Sequence, residues 1–231
     1  MTEEGSLQGN DSYNNYNYID VGDEFPDFTL DSQLGPISYH TLIEGKWGLI
    51  VTFHKSFDPV ATTDIGMVCK LIDEFESRNI SVITLGNDTV SNYRRWIKDI
   101  EELQEVKVNL PLVSDPECLL LRNIGCAKIS PLTEEFVTTS SSVFLIDLDK
   151  RVRTILKYSP LIGRNIYEII RLYDALQVAT YHQVVCPVNW SLGQDCVVNP
   201  SLTDKQANQM LPKGFVAIKP WFRLTPSPDS K

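Results

Sequence analysis

Apolar and polar positions along the chain change period several times, and each change marks an element. WGLIVTF (47–53) is apolar throughout, which predicts a strand buried on both faces. In 62–79 the residues Ile65, Val68, Leu71, Ile72 and Phe75 recur at helical spacing. ISVITLG (80–86) reads as a second buried strand, and VSNYRRWIKDI (90–100) as a helix behind an Asp88 or Thr89 cap with Trp96 in its core. VNLPLVS (108–114) predicts a short strand. DPECLLLRNIG (115–125) predicts a helix with an Asp cap, Pro at its first position and Gly at its end. SVFLIDLD (142–149) and RVRTILKY (151–158) predict two strands around a tight turn. GRNIYEIIRLYDALQVA (163–179) predicts a long helix, with Asn165 and Glu168 at capping-box spacing.

The order strand–helix–strand–helix–strand, then a strand pair and a helix, predicts an α/β mixed sheet flanked by helices on both faces. It is the order of a thioredoxin-like fold with an insertion. Residues 1–18 are Asn, Tyr, Ser, Gly and acidic residues without apolar period, and read as a disordered tail. The domain proper is expected over 19–184. From 185 to 231 the chain turns rich in Pro and poor in helix signals, which predicts a small C-terminal module or arm with its last six residues frayed.

Composition narrows the classes. The 231 residues carry a net charge of −9 and no Lys/Arg cluster, which argues against nucleic acid or an anionic membrane surface as the partner. No apolar run is long enough for a membrane span. The first twenty residues show neither a signal nor a transit pattern, so the expected compartment is the cytosol. Five cysteines, an odd number and without CxxC, read as reduced thiols. His40, His54 and His182 are far apart, so neither a metal site nor a cofactor is expected.

The stretch FDPVATTDIG (57–66) lies between the strand 47–53 and the helix 62–79. A helix N-terminus offers free N–H donors and partial positive charge, and would activate a thiolate placed there. The tip residue is Ala61. The FxPVxTT core of this stretch, the segment YSPLIGRNIYEIIRLYDALQ, PVNW (187–190) and GFVAIKPWFRLTPSP (214–228) resemble the corresponding segments of the 1-Cys peroxiredoxin family, from about residue 20 to 225. The resemblance implies a thiol peroxidase: a Cys at the helix N-terminus, a Thr that hydrogen-bonds the peroxide, and an Arg that lowers the thiol pKa.

Carried over by position, the Cys is Ala61, the Thr is Asp58 and the Arg falls at Ser141. Pro59, Val60, His54 and Arg164 remain. A single Cys→Ala exchange could be engineered, but three coordinated losses read as a natural, divergent member. An Asp beside the thiolate position would raise a thiol pKa. The resemblance also implies a phospholipid-directed activity from a Ser, a His and an Asp. Lys46 stands at the Ser position, while His40 and Asp149 match; without the nucleophile no acyl-enzyme forms.

Two readings of function follow. In the first, the chain is a catalytically inactive scaffold with a binding or regulatory role. The family pairs through its sheet edge and exchanges C-terminal arms, which implies a homodimer or a heterodimer with an active relative. In the second, residual peroxidase chemistry runs through another thiol. Cys69 lies about 12 Å further along the same helix at 1.5 Å per residue and reads as packed core. Cys118 falls in the first turn of its expected helix, where a thiol is moderately acidified.

Overall fold

The computed structural model describes residues 18–130, 136–138 and 140–228. The expected tail therefore lies outside the described residues, apart from Tyr18.

Ordered structure begins with the hairpin β1 (Thr29–Ser32) and β2 (Gly35–Ser38), followed by α1 (Tyr39–Leu42). Then come β3 (Trp47–Thr52), α2 (Pro59–Lys70), α3 (Ile72–Ser77), β4 (Ile80–Gly86), α4 (Val90–Gln104) and β5 (Leu112–Ser114). Next are α5 (Leu119–Asn123), the small pair β6 (Ala127–Ile129) and β7 (Phe136–Thr138), the hairpin β8 (Ser141–Ile146) and β9 (Val152–Tyr158), and α6 (Ile166–His182). The chain closes with β10 (Val184–Val185), β11 (Cys196–Val198), α7 (Asp204–Met210), β12 (Val216–Lys219) and β13 (Phe222–Thr225).

The main sheet has seven strands in the order β2-β1-β5-β4-β3-β8-β9. β3 runs parallel to β4 and antiparallel to β8. Trp47, Leu49, Val51 and Phe53 point to one face, into a core closed by α2, α4 and α6. Ile50 points to the other, with Ile83, Leu85, Phe144 and Leu121. Two covered faces explain why β3 is apolar without alternation. A separate four-stranded sheet, β10-β11-β13-β12, encloses a third core around Trp190, Cys196 and Val198. Among the described residues no helix is long and apolar enough to cross a membrane.

Four predicted segments differ from the sequence reading. The helix expected over 62–79 is two helices joined at Leu71 (φ −108, ψ 15); no Pro or Gly adjoins the joint, so the sequence carries no signal for it. The strand expected over 108–114 shrinks to β5. Pro111 has no amide to donate, and the Leu112 N–H and Leu110 carbonyl bond the Gln33 side chain instead of a strand. The helix expected over 115–125 shrinks to α5: Asp115 accepts from the Leu119 and Leu121 amides at 3.0 and 2.8 Å, capping a helix that starts after Pro116 rather than at it. The C-terminal module contains α7, closed by a Thr203–Gln206 capping box.

One buried ion pair joins the elements that frame the β3–α2 loop. The Arg164 guanidinium donates to Asp64 Oδ2 at 2.6 Å and to the Thr52 carbonyl, and the Arg164 amide donates to Asp64 Oδ1 at 2.9 Å. The two side chains are 0% and 4% exposed. Burial pushes the Asp64 carboxyl up, and Arg164 pulls it back. The pair thereby ties the start of α6 to α2 and to the end of β3.

Two stability predictions follow from this packing. Asp64→Asn leaves a buried guanidinium uncompensated and lowers the unfolding free energy by about 3–5 kcal/mol in urea titrations, whereas Asp64→Leu with Arg164→Met recovers part of that loss. At Gly86 an added Cβ would lie 2.3 Å from two ring atoms of Phe53. Gly86→Ala therefore destabilises by about 1–3 kcal/mol, read by the same titration.

Candidate functional site

Residues 53–58 carry the chain from β3 to α2. His54 Nδ1 lies 2.9 Å from the Thr138 carbonyl, and the Thr138 hydroxyl donates back to the His54 carbonyl, so β7 pins the loop entry. Phe57 is left-handed (φ 57), exposed, and tilted against Trp96 at 6.2 Å. Asp58 is the N-cap of α2, in extended geometry, and Pro59 opens the helix. The Asp58 carboxylate accepts the Ala61 amide at 2.9 Å.

The Thr62 hydroxyl donates to the Asp58 carbonyl at 2.8 Å and accepts from the Trp96 indole at 3.0 Å. Trp96 is thus core, as expected, and also a clamp on the loop. Ala61 is 4% exposed and belongs to the main core with Phe53 and Ile65.

The electrostatics around position 61 are anionic. Asp58 precedes it at the cap, and Asp64 follows one turn later. Asp58 pushes the Asp64 carboxyl up, so the two carboxylates sense each other. The positive end of α2 faces a carboxylate already bound to the amide of residue 61. Ser141, where the resemblance places an Arg, is buried at the start of β8 opposite Tyr158. Beside it, Ser142 donates its amide to the Thr52 hydroxyl at 2.9 Å. Arg164 is committed to Asp64 and Thr52. Asp64 and Thr52 were not singled out by the sequence; no motif marks a partner for Arg164 so distant along the chain.

The alternative thiols are not activated. Burial pushes Cys69 up to about 11. Cys118 precedes α5 in left-handed conformation (φ 53) rather than lying in its first turn, and burial and Asp115 raise its pKa; the expected mild acidification is thereby corrected. As N-cap of α5 its thiol makes no side-chain capping bond to the helix amides.

The second constellation is dispersed among local partners. His40 Nε2 sits 2.8 Å from the Phe25 carbonyl, and the Asp149 amide donates to Asp147 in the β8–β9 turn. Lys150, beside Asp149, pairs with Glu44 at 3.1 Å, which brings that turn against the segment carrying Lys46. Lys46 lines a cavity of about 610 Å³ together with Asp73 and Glu76. No nucleophilic hydroxyl stands at position 46.

Comparison with known proteins places this arrangement. The AhpC/TSA family model matches residues 21–155, and the C-terminal domain of 1-Cys peroxiredoxin matches residues 175–214. A 1-Cys peroxiredoxin of Dictyostelium discoideum is 38% identical over 213 residues, spanning 92% of this chain and 87% of that protein. Peroxiredoxin-6 of Gallus gallus is 33% identical over 219 residues, spanning 90% and 98%. Among solved structures, a cysteine-to-serine mutant of the peroxiredoxin 6 of Arenicola marina superposes with a TM-score of 0.83 at 30% identity, covering 92% of this chain and 100% of that one. With its thioredoxin-like sheet, its C-terminal module and these relatives along nearly its whole length, the chain belongs to the 1-Cys peroxiredoxin family.

Proposed function

We propose that this member keeps the scaffold of a thiol peroxidase without its peroxidase activity and serves in redox homeostasis as a binding or regulatory subunit. One observation carries the reading: at the helix N-terminus where a thiolate would attack peroxide, residue 61 has no sulfur and its amide is bound by the Asp58 carboxylate. Ser141 supplies no positive charge, and Arg164 is neutralised by Asp64. Proximity of a carboxylate opposes thiolate formation, and without an adjacent cation nothing offsets it.

Pairing with a second chain is part of the proposal. β9 ends the main sheet; beyond Val152, whose backbone pairs with Gly22 and Asp23, its outer edge carries Ile155, Leu156 and Tyr158, all half-buried. Leu161 and Ile162 follow it, 86% and 59% exposed. Val216, Ile218 and Trp221 stand exposed on the last hairpin. An apolar strip along a strand edge suits a partner of the same fold, either a second copy or an active relative. The competing reading, peroxidase chemistry through Cys69 or Cys118, is opposed by their burial and raised pKa values.

Reduced protein mixed with sub-millimolar hydrogen peroxide is expected to show no rapid oxidation at any of its five cysteines by quenched mass spectrometry. Rapid sulfenate at one of them would replace the inactive reading with a relocated site. Ala61→Cys alone restores little peroxidase turnover, whereas Ala61→Cys with Asp58→Thr and Ser141→Arg restores far more. Full turnover from the single substitution would show that the electrostatics of the loop do not limit the thiol. Co-purification with an active relative, read by native mass spectrometry, tests the pairing.

A further inference from the structure

A pair of thiols outside the β3–α2 loop faces across two strands of the C-terminal module. β10 and β11 are antiparallel with Val184 opposite Val198 and Val185 opposite Val197. Continuing that register by one residue sets Cys186 opposite Cys196. The Asn199 amide donates to the Gln183 carbonyl at 3.2 Å, which makes 183 and 199 a hydrogen-bonded pair. Pairs alternate along an antiparallel ladder, so 186 and 196 form a non-hydrogen-bonded pair, the kind whose Cα atoms approach to about 4.5 Å and whose side chains are closest.

Both side chains belong to the third core, where the Cys186 thiol donates to the Ala175 carbonyl at 3.5 Å and the Cys196 thiol to the Gln194 carbonyl at 3.8 Å. A disulfide needs Cα atoms roughly 4.4–6.8 Å apart, so this position meets the requirement near its short end. Cys186 is half-buried and Cys196 buried, so the first can meet a reagent and the second can answer it.

We propose that Cys186 and Cys196 form a reversible intramolecular disulfide by exchange with a low-molecular-weight disulfide of the glutathione class, giving the C-terminal module a redox switch separate from position 61. In the first step the Cys186 thiolate attacks one sulfur of glutathione disulfide. The S–S bond breaks, and one glutathione leaves as thiolate and takes up a proton. In the second step the Cys196 thiolate attacks the Cys186 sulfur of the mixed disulfide, and the second glutathione leaves. Two protein thiols are oxidised to one disulfide, one glutathione disulfide is reduced to two thiols, and the protons from the cysteines end on the glutathiones.

Burial and the neighbouring Cys196 push the Cys186 thiol up to about 12. Few molecules carry the thiolate at neutral pH, so exchange is slow and accelerates with rising pH. This separates the pair from a peroxidase, which requires an acidified thiol. Cys186 is half-buried, so a reducing thiol can reach the bond from that side and reopen it. Closing it fixes the ends of the loop 186–196. That loop carries Trp190, whose carbonyl accepts from Arg171 of α6, and Val188, which is 88% exposed. The apolar surface the loop offers is thereby tied to the state of the thiols.

The reduced native chain is incubated with glutathione disulfide, alkylated after denaturation and digested. Both cysteines fall in the single tryptic peptide 172–205, so a chymotryptic cut after Trp190 separates them. The expected result is loss of both alkylation adducts together and recovery of the two halves as one linked species, while Cys69, Cys118 and Cys126 remain alkylated. In Cys196→Ala the second step is blocked, and Cys186 accumulates as the glutathione adduct. Native chain that stays fully alkylated at both positions, or that holds glutathione on Cys186 with Cys196 free, overturns the proposal. The mapping on native chain stands by itself if the variant does not fold. Its outcome is independent of peroxide turnover, since neither residue lies in the β3–α2 loop.

Discussion

A guanidinium with no exposed side-chain surface is costly to place in a protein, because its hydration is lost. In this chain Arg164 recovers that cost through the Asp64 carboxylate and the Thr52 carbonyl. Three elements meet at those bonds: the end of β3, the second turn of α2 and the entry to α6. The loop 53–58 has its two ends defined by them. Gly163 fits between, with an added Cβ placed 3.4 Å from Asp64 and 3.8 Å from Val60. Position 61 sits inside this frame, and none of its bonds involves the residue 61 side chain.

The frame and the chemistry are therefore separable. Asp58 retains the structural duty of a cap while reversing the electrostatic one: it accepts an amide, as a cap must, and sets a negative charge at the helix end. The hydroxyl of Thr62 and the indole of Trp96 keep the loop closed. Geometry of this kind is held by capping bonds and packing alone and makes no use of a reactive group at residue 61. On the reading proposed above, what sets this loop apart is charge: a carboxylate at 58 and no cation at 141.

Much of this was legible from the residues alone. Period-2 and unbroken apolar runs marked β3, β4, β8 and β9, because strands covered on both faces have no polar side. α4 and α6 were marked by their period and their caps; Thr89 and Asn165 do accept the Asn92 and Glu168 amides, although the Glu168 side chain turns to Arg171 instead of completing a box. The β1–β2 hairpin was not legible, since four-residue strands half open to solvent carry too little pattern. The Pro116 signal misled: proline favours a first helical turn, yet Cys118 leaves the helical region and the helix starts later. At the site, motif position singled out residues 58, 61 and 141 as candidates. The Asp64–Arg164 pair spans 100 residues of sequence and depends on which strands meet, as does the facing of Cys186 and Cys196. Local patterns do not hold that information.

α6 has a further bearing on how the chain is held together. Ile166, Ile169, Ile170 and Tyr173 belong to the main core, whereas Val178, near the other end of the same helix, belongs to the core under β10 and β11. One helix is thus a wall of two rooms. The second sheet closes its core against that wall, with Ala175 and Val178 of α6 packed among Trp190, Cys196 and Val198. The two cores are thereby coupled through one rigid rod: any shift of α6 along its axis moves side chains in both at once.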